Sequence, residues 1–113
     1  RLAERVIKRA VKIDDNPLTI DDILDSVCNH FEVTVAAVNG RSRKREYVEA
    51  RQVSMYLAQK YTKMPASRIG KLMGGRDHST VIHSCSKVEK RLEVDKLFLD
   101  EIASIENSFK LKR

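Results

Sequence analysis

Apolar residues in this chain recur at intervals of three and four, and nowhere is a strict alternation sustained. The clearest stretch is Ile20, Ile23, Leu24, Val27, Cys28 and Phe31, a spacing that gathers them on one face of an α-helix. A strand would need a period of two to bury the same residues. Thr19 stands where an N-cap belongs, and Asp21 and Asp22 fall in the first turn, where carboxylates favour the helix dipole. Residues 34–39 add one or two turns more, and Gly40 sits at the position of a C′ glycine.

The same periodicity organises the remainder. Residues 1–13 place Leu2, Val6, Ala10 and Ile13 at helical spacing among Arg5, Lys8, Arg9 and Lys12, a connecting helix ended by Asp14-Asp15-Asn16-Pro17. After the basic loop Arg41-Ser42-Arg43-Lys44-Arg45, a helix from about Val48 to Tyr61 buries Ala50, Val53, Leu57 and Tyr61. It exposes Arg51, Gln52, Gln59 and Lys60, and Thr62-Lys63-Met64-Pro65 breaks it. A short helix over Ala66–Met73 turns Ile69 and Leu72 inward, and Gly74-Gly75 make a sharp turn. A longer helix over Asp77–Leu92 follows, with Val81, Ile82, Cys85, Val88 and Leu92 inside and Ser79, His83, Ser86 and Lys87 outside. The last helix, residues 95–110, packs Phe98, Ile102, Ile105 and Phe109. The expected fold is all-α, a compact bundle of about six helices.

At 113 residues the chain has room for one domain. Its 42% hydrophobic and 34% charged residues exclude a disordered tail, and no apolar run approaches the ~20 residues that span a bilayer. The chain begins at Arg1, with neither an initiator methionine nor a signal-peptide core, so it reads as a piece of a longer protein. Cys28 and Cys85, in apolar surroundings, read as reduced core thiols of a cytosolic protein.

The net charge of +6 is unevenly spread. Asp14, Asp15, Asp21, Asp22, Asp25 and Glu32 crowd residues 14–32, which hold no lysine or arginine. Residues 41–92 hold thirteen basic residues against four acidic ones. Basic charge gathered in one part of a small domain marks a polyanion-binding face.

Two consecutive helices joined by a short glycine-containing link have the spacing of a helix-turn-helix, whose second helix lies in the DNA major groove. The second helix opens with Arg76-Asp77-His78-Ser79-Thr80, short polar side chains able to donate to and accept from base edges. Asp77 also serves as an N-cap, so part of the pattern has a structural explanation. His78 and His83 are five residues apart and turn to different faces, and neither cysteine has a second ligand nearby, which argues against zinc. Ser79 and His83 are helix neighbours without an oxyanion site, and no glycine-rich loop with a following lysine is present. The chain is therefore expected to carry no catalysis, metal or cofactor of its own. Two other readings of these residues stand beside DNA binding by a monomer. One is a helix-turn-helix transcription regulator, which would add a dimerisation helix and read a palindrome. The other is a helical protein-interaction module whose basic face meets an acidic partner.

The run from Ile69 to Val88, with Gly74-Gly75-Arg76-Asp77-His78-Ser79-Thr80-Val81 at its centre, resembles the C-terminal DNA-binding domain of the DnaA family of bacterial replication initiators. Arg43, Arg45, Arg51 and Gln52 fall at that family's distances from this run without a gap. The resemblance implies a Trp repressor-like helix-turn-helix domain over residues 18–113. It makes residues 1–17 the linker helix from an ATPase domain, where ATP would bind. The implied partner is double-stranded DNA, a short non-palindromic box in the replication origin, met by a single copy in the cytoplasm. Asp77, His78 and Ser79 match the residues presented to major-groove bases, and Arg43 matches the arginine entering the minor groove. Arg45, Arg51, Gln52, Lys60, Arg76, Thr80 and Lys87 are the implied phosphate ligands. Ser79 stands where many relatives have threonine and Gln59 where some have lysine, and Met64-Pro65-Ala66-Ser67 departs from a common leucine-proline pair.

Overall fold

Thr19 and Asp22 begin the first helix by capping it reciprocally: the Thr19 hydroxyl accepts from the Asp22 N–H at 3.2 Å and the Asp22 carboxylate accepts from the Thr19 N–H at 3.1 Å. The computed structural model describes residues 18–111, so the connecting helix expected over residues 1–13 lies outside the described residues. Helix α1 spans Ile20–Phe31, α2 Val35–Asn39, α3 Arg45–Thr62, α4 Ala66–Leu72, α5 His78–Val94 and α6 Lys96–Leu111. The described residues form six helices and no strand, as the periodicity requires.

Helix α3 is the hub and packs against α1, α2, α4 and α5, while α6 closes the bundle across α1 and α5. The core holds Ile23, Leu24 and Val27 of α1, Ala50, Val53 and Leu57 of α3, Val81, Cys85 and Val88 of α5, and Phe98, Ile102, Ile105 and Phe109 of α6. Burying these side chains contributes roughly 1.5–3 kcal/mol for each large one. Ser54 is fully buried on α3, where its hydroxyl donates to the Ala50 carbonyl at 2.8 Å. Tyr61 meets Phe109 edge to face at 5.1 Å, and its hydroxyl donates to Glu106 at 2.9 Å. His30 and Glu101, 2.9 Å apart, join α1 to α6.

Several expectations need correction. Gly40 ends α2 with φ −81, not in the left-handed region, and that region is used instead by Glu32 after α1 and Lys63 after α3. Helix α3 starts at Arg45 rather than Val48, so the basic loop is shorter than the charge run. At the end of α4 the buried apolar pair is Ile69 and the C-cap residue Met73, an i, i+4 step that leaves Leu72 outside at 42% exposure. On α5 the inner stripe runs Val81, Ser84, Cys85, Val88, which turns Ile82 outward at 53% exposure. Val81, Ser84, Cys85 and Val88 fall within an arc of ~100° around the axis, and Ile82 lies ~60° beyond its edge at Cys85.

Candidate nucleic-acid interface

The turn between α4 and α5, residues 73–77, is built on three glycines with different duties. Gly74 and Gly75 take φ +87 and +73, a region costly to residues with a Cβ. Gly70, inside α4, allows the Arg76 carbonyl to approach within 2.0 Å of where its Cβ would stand. The Arg76 N–H donates to the Gly70 carbonyl at 2.7 Å, and α5 starts two residues later.

Asp77 occupies the N-cap position of α5 with extended backbone, φ −73 and ψ 151, yet its side chain makes no cap hydrogen bond. Its carboxylate is exposed instead and lies 3.8 Å from Nδ1 of His78. His78, Ser79 and Thr80 are exposed as well. The first turn of α5 is therefore a projecting row of exposed polar side chains that, among the described residues, make no side-chain hydrogen bond. The helix N-terminus adds partial positive charge and free N–H groups directed the same way.

On the neighbouring face, Arg43, Arg45 and Gln52 from the loop and α3 meet Lys87 from α5 around a cleft of about 570 Å³. Val48, Val88 and Phe98 contribute apolar surface to it. Lys90 joins this rim; its outward position on α5 is legible only once the neighbouring helix is in place. Arg43, Arg45 and Lys87 have no carboxylate within ion-pair distance among the described residues. Arg91, also in the cleft, is committed: Nη1 lies 2.5 Å from Glu49, Nε 3.5 Å from Asp95, and its guanidinium sits 3.9 Å from the Phe98 ring. Its hydrogen bond to Glu49 raises its pKa above the ordinary arginine value.

Other expected site residues stand apart from this rim. Lys60 pairs with Glu106 of α6 at 2.7 Å, and that hydrogen bond raises the lysine pKa. Arg51 is not on a solvated face: it is half-buried and donates to the carbonyls of Val38 (2.8 Å), Gly40 (3.3 Å) and Ser42 (3.1 Å). Arg76 is half-buried too and donates to the carbonyls of Asn39 (3.3 Å), Met73 (2.5 Å) and Gly40. Burial first, and neighbouring guanidiniums second, lower the pKa of both. Sequence spacing places these arginines on the correct elements but carries no sign of carbonyls waiting at the end of α2.

Among the described residues no group of three or more His, Cys, Asp or Glu is placed to hold a metal, and no helix is long and apolar enough to cross a membrane.

The family model described as the bacterial dnaA protein helix-turn-helix matches residues 20–88. The chain is 47% identical, over 98% of its length, to the chromosomal replication initiator protein DnaA of Bacteroides thetaiotaomicron, and covers 24% of that protein. It is 45% identical to that of Bacteroides fragilis over 96% of its length and 43% identical to that of Streptococcus thermophilus over 90%, covering 23% of each. It thus spans about a quarter of the length of the curated relatives it matches. The polar, glycine-hinged start of α5 falls inside the matched segment, and this chain belongs to the bacterial DnaA helix-turn-helix family.

Proposed function

We propose that this domain binds double-stranded DNA in a sequence-specific way, as the origin-recognising part of a bacterial replication initiator. The observation that carries this reading is the exposed carboxylate of Asp77 at the head of α5, which makes no cap hydrogen bond. An N-cap aspartate that caps nothing is available to accept from a cytosine N4 amine, and His78 and Ser79 stand beside it for the next bases. Arg43, exposed in the loop before α3, enters the minor groove at the A·T-rich end of the box, where a narrow groove concentrates negative potential.

Arg45, Gln52, Thr80 and Lys87 bond phosphates and set the register, while Lys60 joins them only by leaving Glu106. The domain acts as a monomer on a non-palindromic DnaA box in the cytoplasm. In support of this, α6 buries Phe98, Ile102, Ile105 and Phe109 in its own core and does not keep them for a dimer seam. ATP hydrolysis and assembly belong to other parts of the longer protein.

The test is fluorescence anisotropy with labelled duplexes across a salt series. Binding through ~5–8 phosphates gives a log–log slope of about −4 to −7. The expected result is that slope together with clear preference for a DnaA box over a scrambled duplex. Equal affinity for both, or tighter binding to a palindromic operator, would contradict the reading.

A further inference from the structure

Three guanidiniums converge on the segment between α2 and α3, and among the described residues none of them has a carboxylate partner. Arg51 reaches the segment from α3, Arg76 from the turn before α5, and Arg41 leaves it to donate to the Gly74 carbonyl at 3.0 Å. What draws them is the end of α2. A helix of this length leaves its last carbonyls without intrahelical donors, and those carbonyls carry partial negative charge. Gly40 is extended rather than left-handed, and its N–H closes only onto the Ala37 carbonyl at 3.2 Å, so among the described residues the backbone itself does not satisfy the carbonyls of Val38 and Asn39. The side chains of Arg51 and Arg76 do so instead, and both donate to the Gly40 carbonyl oxygen.

The location of that shared oxygen matters. Gly40 lies three residues before Arg43, and Arg76 immediately precedes Asp77. The Cβ that a side chain at Gly74 would add falls 2.2 Å from the Asn39 carbonyl, so the two segments touch with no room to slide. A guanidinium is a planar fork whose donors have fixed directions, and two forks on one oxygen hold a loop more firmly than a flexible ammonium can.

We infer that Arg51 and Arg76 are positioning residues for recognition: through the Gly40 carbonyl they lock the Arg43 loop to the head of α5, so that the two DNA-reading elements act as one rigid unit. This rests on the proposed DNA-binding function and reassigns the two arginines from phosphate ligands to a clamp. A clamp predicts coupling between the elements. Loosening it should cost affinity only where Arg43 is being read, whereas losing a phosphate ligand weakens every duplex alike.

The experiment is a double-mutant cycle on the intact domain with Arg76→Lys, and separately Arg51→Lys, in the wild-type and Arg43→Ala backgrounds. Lysine keeps the charge and loses the fork. Each lysine variant should weaken binding to a DnaA-box duplex about tenfold and change binding to a scrambled duplex less than about twofold. In the Arg43→Ala background the further loss should shrink below about threefold. Equal weakening on both duplexes, or full additivity with Arg43→Ala, overturns the clamp. So does collapse of the helical circular dichroism in both lysine variants, which would make the arginines scaffold residues only. If the wild-type domain shows no box preference, the DNA reading itself fails; if it does and the lysine variants match it, only the clamp fails.

Discussion

Arg76 folds back onto Gly70 so closely that its carbonyl oxygen lies 2.0 Å from the place a Gly70 Cβ would take. The obstructing atom is backbone and cannot swing aside, so Gly70→Ala must displace the turn that starts α5. The expected cost is about 3 kcal/mol, the upper end of ordinary overpacking, or a Tm lowered by roughly 12–24 °C. Gly75, with φ +73 and open space around it, carries only the left-handed penalty of about 1–2 kcal/mol. Calorimetry should therefore separate Gly70→Ala from the milder Gly75→Ala, and equal Tm losses would contradict the assignment of duties.

Asp77→Ala separates stability from recognition. A capping aspartate replaced by alanine usually costs about 1 kcal/mol, but Asp77 makes no cap hydrogen bond. Urea unfolding should shift by less than about 0.5 kcal/mol, while discrimination at one base pair falls by roughly 1–3 kcal/mol. A large stability loss with specificity intact would assign Asp77 to the fold.

Arg43→Ala should weaken box binding by roughly 1–3 kcal/mol and scrambled duplex far less, because insertion into a narrow groove depends on sequence. Anisotropy on the two duplexes decides it. Equal weakening would make Arg43 an ordinary phosphate ligand.

The buried thiols give the fold a signature at high pH. Burial, then the nearby Glu89 charge, pushes Cys85 from 9.0 up to about 11, and burial raises Cys28 as well. Below about pH 8 the thiols are protonated whether the chain is folded or not, so they contribute no pH dependence. Above that, the unfolded chain loses the Cys85 proton first, and stability falls as pH rises from about 9 to about 11. At pH 10 the loss from this group is about 1 kcal/mol. Urea titrations of wild type and Cys85→Ala should show the decline shrinking in the variant; parallel curves would contradict the burial argument.

Much of this architecture is legible in the periodicity, because a stripe such as Ile20, Ile23, Leu24, Val27 and Cys28 permits one solution and is buried accordingly. Errors arise where an element is short or where two apolar residues are adjacent. Leu72 and Met73 compete for one inward position at the end of a two-turn helix, as do Val81 and Ile82 on α5, and spacing alone does not decide the winner. At the candidate site, charge and the glycine turn point to the segments that the structure places at the start of α5 and around the cleft. The separate duties of the arginines are not legible there. Arg45 and Arg51 look alike along α3, yet one rims the cleft and the other spends its donors on Val38, Gly40 and Ser42. That difference is created by the end of α2, far from either residue's local pattern.

The most direct measurement is an NMR titration of the isotopically labelled domain with a DnaA-box duplex. The expected result is that the amides of residues 77–80 and the side-chain signals of Arg43 shift together and saturate at one domain per duplex. Shifts confined to the cleft rim around Lys87, with the head of α5 unmoved, would contradict the claim that this helix start reads the bases.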